Sequence, residues 1–161
     1  DAQRNVTRAD LALMNSGGVR ADLAAGPVTF GALFAVMPFD NKVVVLELTG
    51  AQLREVLEAA LRNGSPSAHV AGATVRYDPR RPAGERVREV RFTGGKKLED
   101  GRRYRLAVND FMLTGGDGFT MLADKPRVAT AGQLIDVLEL YARRLPPPIE
   151  PPAVGRFQRD E

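Results

Sequence analysis

The sequence contains no cysteine and only one histidine, His69. Without cysteine there can be no disulfide, thiolate metal site or cysteine nucleophile. The absence leaves the redox compartment open, because a cysteine-free chain folds equally well in the cytosol or outside it. One histidine excludes a histidine-built metal cluster within the chain. A Ser-His-Asp triad would have to use His69, which lies in the polar stretch Ser65-Pro66-Ser67-Ala68-His69 and reads as a loop or surface histidine. Long apolar runs are also missing, and none approaches the ~18 residues that a membrane span requires. The opening residues, Asp1-Ala2-Gln3-Arg4, have no apolar signal region, so a mature or truncated start is expected.

What is present suits one globular domain spanning 1–161. The 161 residues are 43% hydrophobic and 27% charged, which is ordinary for a soluble fold. A chain of this size can bury enough apolar surface to fold without staples. The net charge is +3, with arginine outnumbering lysine. Arginine forks suit phosphate. Here, however, bases and acids interleave, as in Arg86-Val87-Arg88-Glu89 and Arg54-Glu55. A nucleic-acid stripe would need its bases clustered on one face, so no nucleic-acid partner is expected.

The order of elements reads as α+β: a mixed sheet packed with two long helices and one short one. Ala9–Asn15 reads as a buried strand running into the turn Ser16-Gly17-Gly18. Thr29 can cap a short helix over 30–36, which stops before Pro38. Lys42–Leu48 is continuously apolar enough for a strand covered on both faces. Thr49-Gly50-Ala51-Gln52 fits a capping box, and Leu53, Val56, Leu57, Ala60 and Leu61 form one stripe of the helix it opens. Residues 74–77 and 86–92 flank a turn-rich stretch and predict a hairpin. Tyr104, Leu106 and Val108 alternate with Arg105, Ala107 and Asn109 as in a strand. A second capping box, Thr130-Ala131-Gly132-Gln133, predicts the last helix, with Leu134, Val137, Leu138, Tyr141 and Leu145 on its buried side. The proline-rich tail, 146–161, is expected to lie extended over the surface.

Three loops collect residue types that recognise a nucleotide. In Asn15-Ser16-Gly17-Gly18-Val19-Arg20, two glycines let backbone N–H groups approach an anion, and the arginine can fork onto phosphate oxygens. Spacing alone favours a tight turn with a solvated arginine, and it is not a Walker loop. In Pro38-Phe39-Asp40-Asn41 the ring is either a plug over the core or a platform for a planar ligand. Phe111 precedes Gly115-Gly116-Asp117-Gly118, whose carboxylate can accept two hydrogen bonds from a ribose diol or can serve simply as a turn former. Two sequons, Asn5-Val6-Thr7 and Asn63-Gly64-Ser65, are short enough to arise by chance.

Taken in order, these loops resemble the C-terminal domain of the 5'-nucleotidase family. The first half matches in Asn15–Arg20, Gly26-Pro27-Val28-Thr29-Phe30, Pro38–Asn41 and Leu48-Thr49-Gly50. The second half matches in Tyr77-Asp78, Tyr104–Phe111, Gly115–Phe119 and the closing Gly155-Arg156-Phe157. The resemblance implies a substrate-binding domain that partners an N-terminal metallophosphoesterase domain of the same protein. That domain would hold two divalent metal ions and the catalytic residues. This chain would then contain no catalytic residue, metal ligand or cofactor, and would be inactive alone. By the same resemblance, Phe39 and Phe111 sandwich the base, Asp117 takes the ribose hydroxyls, and Asn15 bonds near base or sugar. Arg20 meets the phosphate, and Gly17, Gly18, Gly115 and Gly116 bring backbone close to the ligand. Two stacking rings tolerate any base, which suits broad nucleotide range. Ser16 replaces a glycine common in relatives, and their preceding helix is expected to be mostly missing here. The family also implies a periplasmic or extracellular location. A free-standing nucleoside-binding module stays open as an alternative. So does a parent acting on 2',3'-cyclic nucleotides or nucleotide sugars.

Overall fold

In the computed structural model of the chain, residues 1–160 are described. A short helix, α1 (Ala2–Thr7), leads into strand β1 (Leu11–Asn15), a 3-10 turn at Ser16–Gly18 and an exposed loop. Then come α2 (Phe30–Val36), β2 (Lys42–Thr49), α3 (Gly50–Ala60), β3 (Ala68–Ala71), β4 (Ala73–Tyr77) and β5 (Val87–Phe92). The remainder holds β6 (Arg103–Asn109), α4 (Asp110–Leu113), β7 (Arg127–Gln133), α5 (Leu134–Ala142) and β8 (Phe157–Arg159). The class is α+β.

Five strands form a mixed central sheet in the order β3-β1-β6-β2-β7. Within it β1 and β6 run parallel, whereas every other neighbouring pair is antiparallel. A smaller sheet, ordered β5-β4-β8, stands against one face. The apolar run over residues 43–46 of β2 follows from this layering, because both its faces are covered. Val44, Leu46 and Leu48 pack with Leu53, Val56 and Leu57 of α3 and with Val75 and Val90 of the small sheet. Val43 and Val45 face the other way, toward Ala2, Met37, Leu134 and Val137.

Local signals account for the helix starts. Thr49 Oγ1 accepts from the Gln52 N–H at 3.3 Å, and Gln52 Oε1 accepts from the Thr49 N–H at 2.9 Å, completing the expected box. Thr29 Oγ1 likewise accepts from the Ala32 N–H at 3.1 Å. The 74–77 and 86–92 runs pair as the antiparallel hairpin β4–β5.

Several expectations are corrected. Thr130-Ala131-Gly132-Gln133 does not cap a helix: it ends β7, where Thr130 sits opposite Val44. Gly132 has φ of 90°, which breaks any helical entry, and α5 starts only at Leu134 with no side-chain cap. Leu145 accordingly lies beyond that helix. His69 is exposed as expected, but it sits on β3, opposite Met14, rather than in a loop. A six-residue helix precedes β1, where little of one was expected. The tail is not merely extended, since β8 pairs in parallel with β4.

Candidate functional site

Topology gathers the three loops at one end of the central sheet. Because β1 and β6 are parallel, Asn15 and Asn109 leave the sheet on the same side. Because β2 is antiparallel to β6, its first residue, Lys42, starts there too. A cavity of about 390 Å³ opens at this end, lined by Asn15, Gly17, Gly18, Arg20, Phe39, Asp40, Asn41, Phe111 and Asp117. All the residues singled out from the sequence line it except Gly115 and Gly116. The size falls within the usual range for small-ligand sites, ~300–1,000 Å³.

The two rings are braced rather than loose. Phe39 and Phe111 are 41% and 42% exposed, so neither is a core plug. Their loops are tied together by Asp110, whose Oδ1 accepts from Asn41 Nδ2 at 3.0 Å and from the Lys42 N–H at 3.1 Å. The Asn41 carbonyl in turn accepts from the Leu134 N–H at 2.7 Å, anchoring the Phe39 loop to the start of α5. Gly116 supports the other ring: a Cβ there would run into Phe111. Its part is therefore to seat the aromatic side chain, which explains its place outside the cavity wall.

Asp117 stands in a strained turn. It has φ of 52°, between Gly115 at 88° and Gly118 at 78°. Left-handed backbone is uncommon for a non-glycine residue and, where it persists, is held by its surroundings. Arg62 Nη2 supplies one restraint, donating to the Asp117 carbonyl at 2.7 Å. Asn15 supplies another, its Nδ2 donating to Asp117 Oδ2 at 2.7 Å. Asn15 Oδ1 accepts from Asn109 Nδ2 at 2.8 Å, and Asn109 Oδ1 caps α4 by accepting from the Met112 N–H at 2.9 Å. Asn15 and Asn109 are 3% and 1% exposed, so the relay is buried behind the cavity. Asn15 thus spends its amide chiefly on orienting Asp117. A Cβ on Gly17 would lie 3.3 Å from Asp117 Oδ2, so glycine keeps this approach open.

Arg20 lies on the exposed rim, with its N–H bonded to the Val36 carbonyl at 2.8 Å and Nη1 at 3.4 Å from the Gly17 carbonyl. Sequence reasoning missed Asn41, Asn109 and Asp110 as working parts, although they stand inside the motifs. It gave Arg62 no part at all. Chemically, the cavity offers two exposed rings, an oriented carboxylate and a cation at its mouth.

Residues 1–124 match the sequence profile of the 5'-nucleotidase C-terminal domain. The chain belongs to that family. It is 31% identical over 159 residues to the trifunctional nucleotide phosphoesterase protein YfkN of Bacillus subtilis (strain 168), covering 93% of this chain and 11% of that protein. It is 33% identical over 152 residues to an apyrase of Tabanus yao, covering 85% of this chain and 27% of the apyrase. Among solved structures, the 5'-nucleotidase precursor from Thermus thermophilus superposes with a TM-score of 0.87 at 32% identity. That match covers 99% of this chain and 34% of the precursor. This 5'-nucleotidase C-terminal domain therefore spans between a tenth and about a third of the relatives it matches.

Proposed function

We propose that this chain is the substrate-binding part of a 5'-nucleotidase-type phosphohydrolase, and that its cavity holds a nucleotide or nucleoside. The observation that carries the reading is convergence: Phe39, Phe111, Asp117 and Arg20, drawn from three separate loops, line one cavity of about 390 Å³. In this reading the base lies between the two rings. Asp117, held by Asn15, accepts from the ribose hydroxyls through its remaining acceptor capacity. Arg20 makes a charge-assisted contact with phosphate at the mouth.

Hydrolysis of the phosphoester is assigned to residues outside this chain. Among the described residues no group of three or more His, Asp or Glu side chains gathers to hold a metal ion. The family reading calls for two divalent ions. Those ions would sit on an N-terminal metallophosphoesterase domain, and this chain alone would bind without hydrolysing. A periplasmic or extracellular setting is part of the same proposal and rests on the family. No described helix is long and apolar enough to cross a membrane.

Calorimetric titration with adenosine and AMP tests the base site. Phe39→Ala and Phe111→Ala should each weaken both ligands by about 1–3 kcal/mol, the usual worth of one base–aromatic stack. Saturable binding that survives both substitutions unchanged would overturn the assignment.

A further inference from the structure

The parallel pair β1 and β6 has a second shared end, where the strands begin, and a different cavity opens there. It measures about 570 Å³ and lies between α1, the turn at Asp10, the bend after β5 and the bend before β6. Since β6 is seven residues long, this cavity sits roughly 20 Å from the first at ~3.3 Å per strand residue.

Its wall is strongly and unevenly charged. Arg4, Arg8, Lys96, Lys97 and Arg102 line it, against the single carboxylate of Asp10. That carboxylate is already engaged, its Oδ2 accepting from the Arg105 N–H at 2.8 Å. Lys97 pairs with Glu89 at 2.6 Å and Arg102 with Glu99 at 3.8 Å, both acids lying outside the wall. Arg4, Arg8 and Lys96 form no ion pair among the described residues. Like charges held around one cavity repel each other and weaken the compact state, unless an anion offsets them.

The cations are also placed. Arg4 Nε donates to the Asp10 carbonyl at 3.2 Å, and Gly72 leaves room for that contact, since a Cβ there would strike both groups. The Arg102 guanidinium lies 5.6 Å from the centre of the Tyr104 ring, which stacks on Phe92 at 4.9 Å. Arg8 closes α1 in a left-handed conformation, with φ of 53°. Arg4 and Arg8 thus come from the helix side, and Lys96, Lys97 and Arg102 from the two bends.

We propose that this cavity is a second anion site, for a small ligand carrying a chain of two or more phosphates. Arginine forks and lysine point charges brought from separate elements suit an anion with several negative oxygens spread along its length. The volume exceeds what a single phosphate fills. The site is separate from the cavity that holds Phe39 and Phe111, and does not depend on the reading given to that one.

Amide chemical shifts, followed during titration with inorganic pyrophosphate and separately with ADP, test it in protein carrying Arg20→Ala to weaken phosphate contact at the first cavity. Shifts should centre on Arg8 and on residues 93–97. The double substitution Arg8→Ala with Lys96→Ala should weaken pyrophosphate by about tenfold or more, as expected for losing charge-assisted contacts. Arg80→Ala with Arg81→Ala, a matched loss of charge at a separate cavity, should change it by less than about twofold once salt screens distant charges. Equal affinity for the two probes would show a site that reads the phosphate chain alone, and tighter ADP one that also holds the nucleoside; both support the proposal. Absence of shifts at this cavity up to several millimolar, or an equal loss from the control pair, would overturn it.

Discussion

Two buried asparagines govern what the exposed carboxylate at the cavity of Phe39 and Phe111 can do. Asn109 holds Asn15, and Asn15 holds Asp117, with donor–acceptor distances of 2.8 and 2.7 Å. A carboxylate on a left-handed backbone has no intrinsic reason to face one way, so the relay supplies the direction. Replacing Asn109 with alanine removes the donor to Asn15 and the cap of α4 together. The cap alone is worth ~1 kcal/mol of stability. In the proposed binding mode, loss of orientation should show separately, as a fall in the preference for adenosine over 2'-deoxyadenosine, because Asp117 would no longer meet the ribose hydroxyls squarely. A variant that is less stable but keeps its full ribose preference would reduce the relay to a packing role. At this scale the sequence identified most of the residues that line the cavity, Asp40 and Asn41 apart, but not their wiring. Asn15 is 94 residues from Asn109 and 102 from Asp117, distances over which no local spacing rule reaches. Arg62, which steadies Asp117 from the end of α3, left no mark in any motif.

Elements were legible where local chemistry and tertiary demand agreed. Thr49-Gly50-Ala51-Gln52 and Thr130-Ala131-Gly132-Gln133 have the same threonine and glutamine spacing, yet only the first opens a helix. At Gly50 the helix start is received by the bend before β6: the Gly50 N–H bonds the Arg102 carbonyl at 2.8 Å and the Ala51 N–H the Asp100 carbonyl at 3.0 Å. At Thr130 the central sheet needs an edge partner for β2, and the ladder wins over the cap. The strand β3 escaped notice because four residues with an exposed histidine carry little periodic signal. A further contact shows how α3 is fastened. Glu58 is buried, and its two carboxylate oxygens accept from the Arg86 N–H at 3.0 Å and the Val87 N–H at 2.6 Å, joining α3 to β5. Glu58→Gln keeps the shape but turns one acceptor into a donor facing a backbone N–H. Leaving a buried donor unmatched should cost about 1–3 kcal/mol, read as a lowered urea midpoint. An unchanged midpoint would mean that the clamp contributes nothing net.

Across the whole molecule, the family match ends at residue 124, but the fold does not. Strand β7 covers the outer edge of β2, whose faces are already buried, and α5 closes the second core with Leu134 and Val137. Without them a long apolar strand would lie open, which invites aggregation. The proline-rich segment then carries the chain back to the small sheet, where β8 completes the third strand. Prolines made the end of helical structure legible from sequence, but the return pairing depends on β4 having a free edge, which only the assembled fold reveals. Phe157 packs edge-on against Tyr77 at 6.3 Å, and backbone bonds of 2.7 Å from the Val75 N–H to Arg156 and 2.8 Å from the Asp160 N–H to Tyr77 fix the strand. The Arg76–Asp160 ion pair is exposed on the arginine side and adds little. A chain ending at Leu145 should therefore lose roughly 2–4 kcal/mol, the sum of one partly buried ring and a few backbone bonds. Every residue lining the cavity of Phe39 and Phe111 lies before residue 118, and none belongs to the small sheet that β8 completes. Distant sites act independently to within ~0.5 kcal/mol, so adenosine affinity should change by no more than about twofold. Paired urea unfolding and calorimetry on the shortened chain separate the two effects. Loss of affinity in a chain that still unfolds cooperatively would show that the small sheet supports the cavity after all.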